Sequence, residues 1–437
     1  MTPGARLAAV IDILAATEID GRPAERIMQA YFRARRYAGA RDRRAAATDV
    51  FEILRARARL VWWLRHAGAE ARPRALALAH LALVGRLDGS AIAHQFTDGT
   101  HAPGALDQDE RAVADTLSGV ALDHPDMPGW ARHEYPPWLE PQLRQSLGGE
   151  YGTELDALNS PAQLDLRVNM LRATREAAQA ALAAEGIISQ TTPLSPWGLR
   201  CAAGQAVDRS QAYLQGLVEI QDEASQIAVL LARIQPGQTV VDYCAGAGGK
   251  TLAIAAVLEG RGRLIALDAD PLRLERMAPR LRRARAHAVE TAVVLERPAG
   301  PALAPVEPGT AERVIVDAPC SGSGTWRRDP GLKWRLTPEI LASHVARQRR
   351  IIARAAGLVR PGGLLVYLTC SVLPQENEEI VQGFVADNPA FAALSAGDIW
   401  TLSAPCPSAA DAHVVRLTPR RTGTDGFSIA VLRRNGA

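Results

Sequence analysis

Thr239-Val-Val-Asp-Tyr-Cys-Ala-Gly-Ala-Gly-Gly-Lys-Thr251 is the stretch that decides the fold. Its first four residues form the apolar run of a buried parallel strand, and Leu252 onward reads as an alanine-rich helix. Between them, glycines at 246, 248 and 249 allow a turn tight enough for the backbone to approach a ligand. The turn is not a phosphate loop, which needs glycine five positions before Gly249, where Cys244 stands. Nor is it a dinucleotide fingerprint from Gly246, which needs glycine or alanine where Thr251 stands. What remains is a helix N-terminus that offers free N–H groups to a carboxylate. The next strand, Arg263-Leu-Ile-Ala-Leu-Asp268, ends in an acid that can accept from both hydroxyls of a ribose. A nucleoside with a carboxylate and no phosphate fits S-adenosylmethionine. The expected cofactor contacts are Cys244, Ala245, Gly246, Ala247, Gly248, Gly249, Lys250 and Asp268.

Outward from this turn, further strands are predicted at Arg313-Val-Ile-Val-Asp317 and Gly363 to Thr369, with helical stretches between. Alternating strands and helices predict a doubly wound, mostly parallel sheet over 231–437. Upstream, Leu164 to Met170 and Trp197 to Cys201 read as strands around an alanine-rich helix near 173–185, a small α+β piece over 155–230. Residues 1–125 carry apolar positions at helical spacing, as in Leu7-Val10-Ile11-Leu14, and predict an all-α domain. Between them, 126–154 is rich in proline and tryptophan and reads as a linker.

A chain of 437 residues has room for two or three domains. No apolar run approaches membrane-spanning length and no cleaved signal is recognisable at the N-terminus, so a cytoplasmic protein without a membrane partner is expected. The five cysteines are odd in number, scattered and without a Cys-x-x-Cys, which argues against a disulfide framework and against metal. A net charge of +3 permits a nucleic-acid partner without requiring one. Of fifty basic residues only Lys250 and Lys333 are lysine. Where arginine is the default, a retained lysine points to a place for a compact ammonium that a guanidinium cannot fill.

Two cysteines stand at the ends of predicted parallel strands: Cys320 in Asp317-Ala-Pro-Cys and Cys370 in Thr369-Cys-Ser. A strand-end cysteine is ordinarily an inert small hydrophobe. Two of them at the carboxyl edge where such sheets bind ligands point to chemistry. The blocks Asp317 to Pro330 with Lys333-Trp334, and Tyr367-Leu-Thr-Cys-Ser-Val-Leu-Pro-Gln-Glu-Asn-Glu379, resemble signatures of the Sun/RsmB-type rRNA cytosine-C5 methyltransferases. Arg167-Val-Asn169, Gln221-Asp-Glu-Ala-Ser-Gln226 and Asp425-Gly-Phe-Ser428 are similar to other blocks of the family. The N-terminal helices resemble its NusB-like RNA-binding domain.

The resemblance implies a class I, Rossmann-like S-adenosylmethionine-dependent methyltransferase that acts on a cytosine in rRNA, 16S first, through a covalent adduct. Cytosine C5 is a poor nucleophile until a thiolate adds to C6, so one cysteine attacks and a second aids release. The resemblance assigns attack to Cys370 and release to Cys320, with Asp317 at the cytosine edge and near the cofactor; Lys250, singled out by its rarity, is a further catalytic candidate. The residues alone support either order, because DNA cytosine methyltransferases carry their nucleophile in a Pro-Cys such as Pro319-Cys320. The same motifs serve tRNA or 23S rRNA methylation, and a non-catalytic RNA-binding assembly factor is the reading from another class. The family's usual acid for the adenine amino group is missing from Val289 to Glu296, leaving Glu296 or a backbone carbonyl.

RNA contact is expected from Arg167, Arg327, Arg328 and Lys333, within a basic region from Arg327 to Arg360. Arg273 to Arg285 and Arg33 to Arg44 add two further arginine clusters. Sequence-specific readers of RNA usually target unpaired loops, so an exposed rRNA stem-loop and a monomeric enzyme are expected.

Overall fold

The structure, a computed structural model, describes residues 1–294 and 306–436. The chain divides into two compact units, Met1–Ser160 with Trp326–Leu336, and Pro161–Thr325 with Thr337–Ala437.

The first unit is helical. Pro3–Asp20, Ala40–Arg55 and Pro73–Leu83 bury Val10, Ile13, Leu14, Val50, Ile53, Leu76 and Leu78 in one apolar core. The passage 126–154, expected as a linker, is instead largely helical, with Gly129–Arg132, Glu140–Leu147 and the start of Tyr151–Asn159, and it belongs to this unit. Its prolines do not break these helices because they sit at their starts, Pro128 as N-cap and Pro137 and Pro141 in first turns, where no N–H is needed.

The second unit holds twelve strands among the described residues: β1 Leu164–Val168, β2 Ser189–Thr191, β3 Gly198–Cys201, β4 Val218–Ile220, β5 Thr239–Asp242, β6 Arg263–Asp268, β7 Val289–Val293, β8 Ala311–Asp317, β9 Val359–Thr369, β10 Phe391–Ala393, β11 Val415–Leu417 and β12 Phe427–Arg434. The small sheet runs β2-β3-β1-β4 and is antiparallel. The large one runs β10-β12-β9-β8-β5-β6-β7, with β11 on β12; β9-β8-β5-β6-β7 are parallel and β10, β11 and β12 antiparallel. This is the class I methyltransferase architecture. The strand order reverses between β5 and β8, where sheets of this kind open a crevice at their carboxyl ends.

The blocks 167–169 and 221–226 fasten the small sheet to the large one. Asn169 is buried and its amide donates to the carbonyls of Gly216 and Ala284. Glu223, also buried, accepts from the N–H groups of Leu194 and Ser195.

Candidate active site

Strand ends deliver four acidic or thiol groups to one place. Asp242 ends β5, Asp268 ends β6, Asp317 ends β8 and Cys370 follows β9, all lining a cavity of about 680 Å3 with Cys320. The glycine turn forms its floor, contributing Cys244, Ala245, Gly246, Ala247, Gly249 and Lys250. Gly248 does not line the cavity and is needed for another reason. Its φ is +85°, and a Cβ there would meet Met277 Cγ at 2.5 Å.

Asp268 is oriented by backbone: one oxygen accepts from Gly246 N–H at 2.8 Å, the other from Asp270 N–H at 2.9 Å. Asp242 is fully buried and accepts from the Thr251 hydroxyl at 2.7 Å. Burial, reinforced by Asp317 and Asp268, raises its pKa to about 6. Its second oxygen is buried without a partner, as is Oε1 of Gln221, and both residues line the cavity. Burial, with the three carboxylates around it, holds the Cys244 thiol well above its ordinary range.

Lys250, buried in the first turn of the helix Gly249–Leu258, places Nζ 2.6 Å from Asp317 Oδ2 and 4.9 Å from the centre of the Phe427 ring. Cys320 and Cys370 bring their sulfurs to 3.4 Å. The contact with Cys370 and burial drive the Cys320 pKa well above the usual thiol value; either sulfur can donate in this pair.

The loops bearing the cysteines are pinned together. Gly324 N–H donates to the Cys370 carbonyl at 2.9 Å and Gly426 N–H to the Gly324 carbonyl at 2.8 Å. A Cβ on Gly324 would lie 1.9 Å from the Gly426 oxygen, so these backbones touch. The Asn377 amide holds the Ser371 and Leu373 carbonyls. Glu376, fully buried, accepts from Ser321 and from Gln348.

Some lining residues were not expected from sequence, and two, Arg347 and Arg354, were expected only as part of the basic region Arg327 to Arg360. The helix Pro338–Ala356, opened by its Thr337 cap, turns His344, Arg347, Ile351 and Arg354 toward the cavity. Their spacing of three and four residues is the available signal, since one helix face carries them. Asp242 and Gln221 carried no chemical signature beyond their place at a strand end and in the 221–226 block.

Three of the four expected RNA contacts need correction because they are buried. Arg167 is 2% exposed and donates to the Gly249 carbonyl at 3.2 Å, propping the glycine turn. Arg327 is 6% exposed, and Lys333, at 0%, donates to Asn159 Oδ1 at 2.7 Å inside the helical unit. Arg328 is exposed. Of the arginine cluster at 273–285, Arg280 and Arg283 are tied to buried Glu219, while Arg273, Arg276 and Arg282 are exposed. Glu296, one candidate for the adenine contact, lies outside the described residues; buried Val294 lines the cavity nearby. Among the described residues, no helix is long and apolar enough to cross a membrane and no cluster of three metal-ligating side chains occurs.

Residues 228–433 match the family 16S rRNA methyltransferase RsmB/F, and 135–208 match the ferredoxin-like domain of the RsmF/B-like methyltransferases. A ribosomal RNA small subunit methyltransferase B from Pectobacterium carotovorum is 31% identical over 351 residues, 74% of this chain and 77% of that protein. The chain belongs to the RsmB/F family of rRNA methyltransferases. A probable member from Synechocystis is 30% identical over 69% of this chain and 67% of its own length. Among solved structures, PH0851 superposes with a TM-score of 0.78 at 24% identity over 99% of both chains. A methyltransferase homologue from Pyrococcus horikoshii gives 0.57 at 25% identity, over 70% of this chain and 97% of that one. The cofactor of the RsmB/F family is S-adenosylmethionine, and the cavity fits it. The unpartnered oxygens of Asp242 and Gln221 offer acceptors to its ammonium, the open turn at Gly246 leaves room, and Asp268 retains acceptor capacity for a ribose.

Proposed function

We propose that this RsmB/F enzyme methylates C5 of a cytosine in rRNA, 16S as in its named relatives, through a covalent bond between Cys370 and cytosine C6. The observation that carries this reading is the thiol pair at 3.4 Å, opening on the cavity that the Lys250–Asp317 pair also lines. The Cys370 thiol gives up its proton to solvent and adds as thiolate to C6; the electrons of the 5,6 double bond move onto the ring and make C5 nucleophilic. The Lys250–Asp317 pair faces the ring edge: the Asp317 carboxylate accepts from the cytosine amino group, and the Lys250 ammonium beside it offsets the negative charge that accumulates on the ring. S-adenosylmethionine, when bound, supplies the electrophilic methyl group. A solvent water then takes the C5 proton, its bonding pair re-forms the double bond, and the Cys370–C6 bond breaks with its electron pair returning to the sulfur. Cys320 keeps a proton beside the departing sulfur and eases its expulsion by hydrogen bonding. Asp242, Gln221 and the glycine turn would hold the amino-acid end of the cofactor and Asp268 its ribose.

The test is methyl transfer from labelled S-adenosylmethionine to undermethylated rRNA. Cys370→Ala is expected to abolish turnover, and normal turnover in that variant would refute the mechanism. Bisulfite sequencing of RNA from cells lacking the protein is expected to show one 16S cytosine losing its protection. Loss in tRNA or 23S rRNA instead would relocate the substrate.

A further inference from the structure

Two thiols 3.4 Å apart are the same chemical group, so their surroundings must decide which becomes the nucleophile. Those surroundings are unequal. On the Cys320 side stands Glu376, a fully buried carboxyl that accepts three hydrogen bonds. One oxygen accepts from Ser321 N–H at 2.9 Å and the Gln348 amide at 3.0 Å; the other accepts from the Ser321 hydroxyl. The same Gln348 nitrogen donates to the Pro319 carbonyl at 2.9 Å, so the residues on both sides of Cys320 are held by one carboxyl–amide unit. On the Cys370 side the direct ties are neutral: Asn377 to the Ser371 and Leu373 carbonyls, Gly324 N–H to the Cys370 carbonyl, and Val372 N–H to the Ser323 hydroxyl, with the Ser371 hydroxyl reaching the Glu376 unit through the Ser321 hydroxyl at 3.4 Å.

We propose that Glu376 is the positioning residue that divides labour between the thiols, fixing the backbone around Cys320 and, as a buried anion there, disfavouring a thiolate on Cys320 so that the thiolate forms on Cys370. An anion close to a thiol raises the cost of a second negative charge, and burial of both magnifies it. Glu376 acts on Cys320 in this sense, after the larger effects of the Cys370 hydrogen bond and burial. Other titratable groups around the pair are Cys244, Asp317 and Lys250 on the cofactor side, His344 and Arg347 on the helix Pro338–Ala356, and Tyr367 on β9. Of the acids, Glu376 is the one bonded to the residue that follows Cys320.

The inference rests on Cys320 serving release, and two readouts separate the claims. In a Cys370→Ala background, the pH profile of Cys320 alkylation by iodoacetamide reports its thiolate directly. Glu376→Gln is expected to move the midpoint down by about one pH unit, while Ser321→Ala, which keeps the charge, leaves it in place. An unmoved midpoint in Glu376→Gln overturns the electrostatic claim. The second readout is the lifetime of the RNA–protein adduct in an otherwise wild-type chain carrying Ser321→Ala, with S-adenosylmethionine present. Loss of that hydrogen bond is expected to lengthen it roughly threefold. An unchanged lifetime overturns the positioning claim, and this variant decides even if Glu376→Gln does not fold. If Cys320→Ala itself releases product normally, the release reading fails, whereas the alkylation midpoint still judges Glu376.

Discussion

The two lysines occupy two regions that treat a buried ammonium in opposite ways. Lys250, in the catalytic unit, is 7% exposed and faces a carboxylate at 2.6 Å on the cavity wall. Lys333, in the helical unit, is 0% exposed; its hydrogen bond goes to the neutral Asn159, and it lies 5.8 Å and 5.1 Å from the Trp326 and Trp334 rings. Burial pulls the Lys333 pKa down to about 7, with Glu134 opposing. Both positions bury a compact ammonium, and of the two Lys250 alone lines the cavity. A rare residue type therefore marks a demanding environment, which is a wider class than a catalytic one.

Four substitutions break or sharpen this contrast. Lys250→Met removes the cation that holds Asp317 and is expected to lower turnover about 10²- to 10³-fold, read as labelled methyl incorporation. Turnover above a tenth of wild type would erase the distinction between the lysines. Lys333→Met should act on stability instead. Its folded pKa, about 7, lies below the ordinary 10.5, so between those values the unfolded chain binds the extra proton and wild-type stability rises with pH. The cost of burying the cation is fully present below pH 7 and disappears toward pH 10.5. Denaturant unfolding of the full chain across that window is expected to show a slope of up to about 1.4 kcal/mol per pH unit in wild type that Lys333→Met lacks. Equal slopes in the two proteins would contradict the burial. Lys333→Arg overfills the same site and is expected to cost about 1–3 kcal/mol, seen as an earlier denaturant midpoint. The smallest effect belongs to exposed Arg328: Arg328→Ala should flatten the salt dependence of RNA binding by about one unit of slope.

Local patterns made the parallel strands legible, because a strand buried on both faces writes a continuous apolar run, as in Val240-Val241 and Leu364 to Leu368. The antiparallel β12, which pairs with β9 from Ser428–Thr369 to Arg433–Leu364, was noticed only as a motif at 425–428. Its partner lies some sixty residues upstream, and no local period reports such pairing. The same limit hid Glu376, whose partners at Ser321 and Gln348 are brought to it by the fold. It also made buried arginines look like an RNA surface: charge is visible in a sequence, and whether Arg167 props a turn or meets a phosphate is not. Prolines misled at 126–154 because a helix start tolerates what a helix interior does not.

The unequal roles of Cys370 and Cys320 are the centre of the account, and trapping the covalent complex tests them most directly. Cys320→Ala, incubated with S-adenosylmethionine and a 16S stem-loop RNA, then denatured and digested, is expected to carry RNA bonded to the peptide containing Cys370. A covalent complex formed instead by Cys370→Ala, with RNA on Cys320, would reverse the assignment.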